Sequence, residues 1–160
     1  MLFDAAHNPE GMQALTRHLH AFAADNPQLK QIVILFGVLQ SKNWKEMLRQ
    51  LTTPLLKIRN ESGISSAVVF TAPPLHQIHQ SGDNLGQNAV RPVDLVNYAG
   101  TGFAVAELDL ALSKAESLLN DASLNDTLLN DGVLLVVCGS IYLMGEIRAR
   151  LVDEPFRTFI

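Results

Sequence analysis

Two stretches of the chain are apolar at every position, Ile32–Phe36 and Val133–Val137. A strand covered by helices on both faces buries both sets of its side chains, so it reads as an unbroken hydrophobic run instead of an alternation. Shorter runs at Met1–Ala5, Ser66–Phe70 and Gly102–Ala106 join Gln31–Phe36 and Val133–Val137 as the predicted strands. Between them the apolar spacing changes from continuous to every third or fourth residue, which places one buried face on a helix. Met12, Leu15, Leu19 and Phe22 follow Pro9 in this way, and Trp44, Met47, Leu48 and Leu51 follow Ser41. Leu108, Ala111, Leu112, Ala115, Leu118 and Leu119 predict a third helix beginning near Glu107. Met144, Ile147 and Leu151 predict another, ending before Pro155, and a shorter helix is placed around Val93–Tyr98. Strands alternating with helices give an α/β fold with a mostly parallel sheet. The stretch from Pro73 to Pro92 has little periodicity and reads as a long surface loop.

Composition narrows the class without changing the fold. With 160 residues, 48% apolar and 18% charged, the chain fits one globular domain with its own core. A net charge of −4, with Lys and Arg scattered, offers no footprint for nucleic acid or an anionic membrane. The apolar runs are too short for a bilayer, and the first residues hold an Asp and a His where a signal peptide would be apolar. Cys138 is the single cysteine, so no intrachain disulfide forms and a reducing, cytoplasmic setting is expected.

Candidate chemistry gathers where strands end and helices begin. Asp4-Ala5-Ala6-His7-Asn8-Pro9 reads as a strand end, a tight turn, and a helix capped by Asn8 with Pro9 at its first position. That puts Asp4 and His7 beside the positive end of a helix, where open α/β sheets bind ligands. Two readings stand there: a ligand-facing pair, or side chains that serve only the turn and cap. Val133–Cys138 leads into Gly139-Ser140 and a helix in the same manner, with Ser140 either a plain cap or a ligand contact. Gly37 ends the other central strand, Ser41 is the expected helix cap, and Lys42 then falls in the first helical turn. A cation is poorly placed at a helix start, which makes Lys42 a possible anion contact or else a solvated lysine. His76 and His79 lack further ligands at metal spacing, so no metal site is assigned. Gly100-Thr101-Gly102 precedes a strand where a dinucleotide fingerprint would follow one. The chain contains no G-x-x-x-x-G-K-S/T, so a triphosphate cradle would have to come from elsewhere.

Taken together, these segments resemble the folylpolyglutamate synthase/dihydrofolate synthase family of the Mur ligase superfamily. Leu2-Phe3-Asp4-Ala5-Ala6-His7-Asn8-Pro9 is similar to that family's D-G-A-H-N-P motif, and Ile34-Leu35-Phe36-Gly37 to the strand before its D-K-D segment. Thr71-Ala72-Pro73 is similar to its T-x-P turn, and Gly139-Ser140-Ile141-Tyr142-Leu143-Met144-Gly145-Glu146-Ile147-Arg148 to its G-S-L-Y-L-V-G-E-V-R ending. Ala5 replaces the usual Gly, and Ser41-Lys42-Asn43 lacks both acids of D-K-D while keeping the lysine.

The resemblance implies a Rossmann-like three-layer sandwich of about five or six strands, spanning residues 1–160 as a single Mur-ligase-type carboxy-terminal domain. An amino-terminal P-loop ATPase domain would then be the partner in the same polypeptide. It implies an ATP- and Mg²⁺-dependent ligase that activates a folate or dihydropteroate carboxylate as an acyl phosphate, which the amine of L-glutamate attacks. Asp4 and His7 would contact ATP, with His7 also at the junction with glutamate, and Ser140 would help bind glutamate. The isolated domain would be inactive and carry no cofactor. Two alternatives remain: the equivalent domain of a peptidoglycan-precursor Mur ligase, and a stand-alone, non-catalytic nucleotide- or anion-binding module. A motif lying at positions 4 to 9, against the start of the chain, is expected of a piece of a longer protein.

Overall fold

The computed structural model describes residues 1–74, 88–123 and 132–153. Within them the order is β1 (Leu2–Phe3), α1 (Pro9–Asp25), β2 (Gln31–Phe36), α2 (Trp44–Ser62) and β3 (Ser65–Phe70). Then follow α3 (Pro92–Ala99), β4 (Phe103–Ala104), α4 (Leu108–Ser123), β5 (Val133–Cys138) and α5 (Ile141–Asp153). The sheet has five strands in the order β1-β5-β2-β3-β4. Every pairing between them is parallel.

The two unbroken apolar runs are the two innermost neighbours, β5 and β2, paired from Gln31↔Val133 to Phe36↔Cys138. Alternation along each strand sends its side chains to two separate cores. Ile32, Ile34, Phe36, Val68, Phe70, Val136 and Cys138 face α1, α2 and α3. Val33, Leu35, Val69, Leu135 and Val137 face α4 and α5. The result is the α/β fold with a parallel sheet that the periodicity calls for, arranged as the Rossmann-like three-layer sandwich that the resemblance implies. Helix α1 supplies Met12, Leu15 and Leu19 to the first core, and α4 supplies Ala111, Ala115 and Leu119 to the second.

The outer strands are shorter than expected. Met1–Ala5 pairs only over Leu2 and Phe3, and Gly102–Ala106 only over Phe103 and Ala104. The loop assigned to Pro73–Pro92 is ordered at its far end: Leu39 and Ala89 form an antiparallel bridge, Val90 donates to Val38 O at 2.9 Å, and Pro92 already begins α3. The middle of that loop, with His76 and His79, lies outside the described residues, as does Pro155. No described helix is long and apolar enough to cross a membrane.

Candidate functional site at the carboxyl rim of the sheet

Because all strands run the same way, their carboxyl ends share one rim. Asp4 directly follows β1 and its N–H donates to Val137 O at 3.1 Å, which ties the β1 end to the end of β5. Gly37 N–H reaches Cys138 O at 3.4 Å, and Thr71 N–H donates to Phe36 O at 2.9 Å. The ends of β1, β5, β2 and β3 are thus stitched side by side, carrying Asp4, Gly139-Ser140, Gly37 and Thr71. Asp4 and His7 lie on the same rim as Ser140, the arrangement on which a shared site depends.

Two glycines make the close approach possible. A Cβ on Gly139 would stand 2.6 Å from Gly37 O and 2.8 Å from the Phe36 ring, and its φ of 98° is itself a conformation that side chains disfavour. A Cβ on Gly37 would stand 2.8 Å from Thr71 O and 3.2 Å from both Leu143 Cδ2 and Pro73 Cδ.

The helix starts at this rim differ in how they are capped. Asn8 caps α1 as expected: it has extended backbone, φ −146° and ψ 168°, and its Oδ1 accepts from Gly11 N at 2.7 Å, with Pro9 at the helix start. His7 is half-buried, and its Nδ1 donates to Ala5 O at 2.6 Å. In the neutral ring that bond fixes the tautomer and leaves Nε2 as an acceptor. Asp4, half-buried, lies close enough to Cys138 that its carboxylate adds to burial in pushing the Cys138 thiol well above the ordinary cysteine range.

Helix α5 begins without a side-chain cap. Ser140 contributes its carbonyl to Met144 N–H at 3.1 Å, yet its Oγ is buried and finds no partner among the described residues. Of its two sequence readings, the plain cap is therefore the one the hydrogen bonds do not support. Thr71 is in the same condition: it is wholly buried, and its Oγ1 has no partner among the described residues. The sequence marked Thr71 only as part of a turn. Its burial and lack of a partner depend on packing across three strands, which no local pattern reveals.

The region of Lys42 departs from expectation. Helix α2 starts at Trp44 with Asn43 in the cap position and no side-chain cap bond, so Ser41 is not the cap. Lys42 precedes the helix, its N–H donating to Leu39 O at 3.1 Å, and its side chain is exposed. Leu39 is held in its bridge with Ala89, and a turn over Gln40 and Ser41, closed by Lys42 N–H to Leu39 O, follows it, so the helix begins only at Trp44. Lys42 therefore lies before the first helical turn, and the helix-dipole argument for an anion there loses its premise. Among the described residues no group of three or more His, Cys, Asp or Glu is arranged to hold a metal ion.

No family model matches the sequence, and no curated protein matches it. Among solved structures, the fold is similar to that of Mycobacterium tuberculosis folylpolyglutamate synthase complexed with ADP, with a TM-score of 0.65 and 24% identity over 96% of this chain. It is similar to Escherichia coli FolC in complex with ADP, with a TM-score of 0.56 and 17% identity over 94% of this chain. The bifunctional folylpolyglutamate synthase/dihydrofolate synthase of Yersinia pestis matches with a TM-score of 0.57 and 21% identity over 93% of this chain. At these identities the likeness establishes a shared fold. The chain spans about 30% of the length of the first of these structures and 27–28% of the other two.

Proposed function

We propose that this chain is the carboxy-terminal domain of a folylpolyglutamate synthase/dihydrofolate synthase-type ligase, which joins L-glutamate to a folate or dihydropteroate carboxylate at the expense of ATP. The observation that carries this reading is the rim itself. The two motifs that resemble the family, at positions 4–9 and 139–148, lie far apart in sequence, yet the β1–β5 pairing sets Asp4 beside the end of β5. Both motifs thus face the rim at which open α/β sheets bind ligands.

The residues present fit one part of a nucleotide and not another. Asp4 can accept from hydroxyl or amino donors of ATP but is unsuited to its phosphates, and the start of α1 is already occupied by the Asn8 side chain. The phosphates, with Mg²⁺ to neutralise them, fall to a P-loop ATPase domain that we place in the same polypeptide. Ser140, whose hydroxyl at the start of α5 has no partner among the described residues, suits a carboxylate and is assigned to glutamate, with His7 between the two ligands. Shared in this way between two domains, the acyl phosphate would be kept from water as they close.

Kinetics of the full polypeptide test the assignment. Asp4→Asn and His7→Ala are each expected to lower kcat/KM by roughly tenfold or more, the weight of one lost charge-assisted contact. Unchanged kinetics in both would remove them from the site. For the isolated chain, calorimetry should detect little or no ATP binding, and a sub-micromolar Kd would contradict the division of labour.

A further inference from the structure

Helices α1 and α2 pack on the same face of the sheet, and a groove of about 390 Å³ runs between them. Gln13, Thr16, Arg17 and His20 of α1 form one wall. Gln50, Thr53, Pro54 and Lys57 of α2 form the other. Both sets keep the i, i+3, i+4, i+7 spacing of a single helix face, so each wall is one continuous stripe. The groove starts beyond the first turn of either helix and shares no residue with the rim. Its volume falls within the range of about 300–1,000 Å³ that small-molecule sites occupy.

Its two ends differ in chemistry. Arg17, His20 and Lys57 bring positive charge and N–H donors to one end, and no acidic residue lines the groove. Arg17 is exposed and has no hydrogen-bond or ion-pair partner among the described residues, so its guanidinium fork is open. Glu61 shows that the other two groups converge. Its carboxylate stands 2.8 Å from His20 Nε2 and 3.6 Å from Lys57 Nζ, so an acid oxygen is already seated between the helices there. The Lys57 pair is exposed on both sides, and pairs of that kind contribute only about 0–1 kcal/mol, which leaves Lys57 free to turn to a second anion. At the other end Gln50 Nε2 donates to Glu46 Oε1 at 2.7 Å, which leaves the Gln50 amide oxygen to accept and places a carboxylate nearby. Pro54 has no N–H and withholds the helical bond from the Gln50 carbonyl. Donors therefore gather at one end of the groove and acceptors at the other.

We propose that the α1–α2 groove binds a small phosphate monoester bearing hydroxyl groups, its phosphate on Arg17, His20 and Lys57 and its hydroxyls toward Gln50. A phosphate fits the basic end better than a carboxylate does. The guanidinium fork takes two oxygens side by side, and Lys57 and His20 reach further oxygens from the facing wall and the next turn, which a two-oxygen acid does not offer. Hydroxyl groups suit the other end because they donate to the amide and carboxylate oxygens that would repel a second anion. The site stands apart from the ligase reading, and its test leaves that reading untouched.

Calorimetry of the 160-residue chain at low salt, with ribose 5-phosphate as the probe, tests the proposal. A Kd on the order of 1 mM or tighter is expected, with glutarate and inorganic phosphate each at least fivefold weaker. Arg17→Gln should weaken ribose 5-phosphate roughly tenfold, the weight of a lost charge-assisted contact, and should melt with the wild type because the side chain is exposed and unpaired. Arg59→Gln is the control: it removes a charge from the same helix, but Arg59 lines a different cavity beside β3 and β4, so binding should stay within about twofold. No binding of ribose 5-phosphate up to about 10 mM, or equal binding by Arg17→Gln and the wild type, overturns the proposal. Glutarate binding as tightly would make this a carboxylate site, and inorganic phosphate binding as tightly would remove the hydroxyl end; either result overturns it too. Equal losses in Arg17→Gln and Arg59→Gln would mean that diffuse charge, and not this groove, attracts the probe.

Discussion

Asn8 and Ser140 occupy matching positions, each the last residue before a helix on the same rim, yet they do different things. The Asn8 oxygen accepts from Gly11 N at 2.7 Å, while the Ser140 oxygen accepts and donates to nothing among the described residues. A capping side chain contributes about 1 kcal/mol to stability, whereas an unpartnered hydroxyl contributes none. Denaturant titration of the 160-residue chain should therefore show Asn8→Ala losing about 1 kcal/mol and Ser140→Ala losing nothing. An equal loss in both would mean that Ser140 is a structural cap and would withdraw it from the ligand site. The sequence made the Asn8 cap legible, because Asn followed by Pro and an amphipathic run is a purely local signal. It could not decide between the two readings of Ser140, and it misplaced the cap of α2 at Ser41, because the deciding contacts lie in other strands.

Glycines and a proline set the shape of the elements that carry the site. Gly139 and Gly63 both have positive φ, 98° and 70°, but only Gly139 is crowded. Gly63 closes α2 with open space around its missing Cβ, so Gly63→Ala should cost only the left-handed backbone penalty, about 1 kcal/mol. Gly139→Ala adds a collision with Gly37 O at 2.6 Å to a comparable penalty, and should cost well over 3 kcal/mol or prevent folding. Comparable melting temperatures for the two variants would refute the close packing of β5 on β2. Within α2, Pro54 removes a backbone donor in the middle of a helix. Pro54→Ala is expected to raise stability by roughly 1–3 kcal/mol, and a loss would show that the proline ring itself is needed where α2 packs on α1. Central strands were readable because both faces are buried and every position is apolar. The edge strands β1 and β4 were overextended, since hydrophobicity continues beyond the two residues that find a partner.

At the scale of the molecule, the sheet binds a titratable group into the fold's stability. Cys138 ends β5, is wholly buried, and has its thiol pushed up, first by burial and second by the Asp4 carboxylate. The unfolded chain exposes a thiol near its ordinary value of 9.0. Above that pH the unfolded state gives up a proton that the folded state keeps, so the unfolded state binds fewer protons and stability falls as pH rises. The slope should approach 1.4 kcal/mol per pH unit, beginning at about pH 9, before most lysines titrate. Cys138→Ala removes the group. It should lose about 1 kcal/mol at neutral pH to the smaller side chain, while its stability stays flatter between about pH 9 and 10. The same burial predicts that thiol reagents label the native chain only as fast as the sheet opens globally, because no local fraying exposes an inner strand. Parallel slopes for wild type and Cys138→Ala, together with prompt labelling in native buffer, would mean that the end of β5 is open to solvent. The rim that joins Asp4 to Ser140 would then be looser than a preformed site requires.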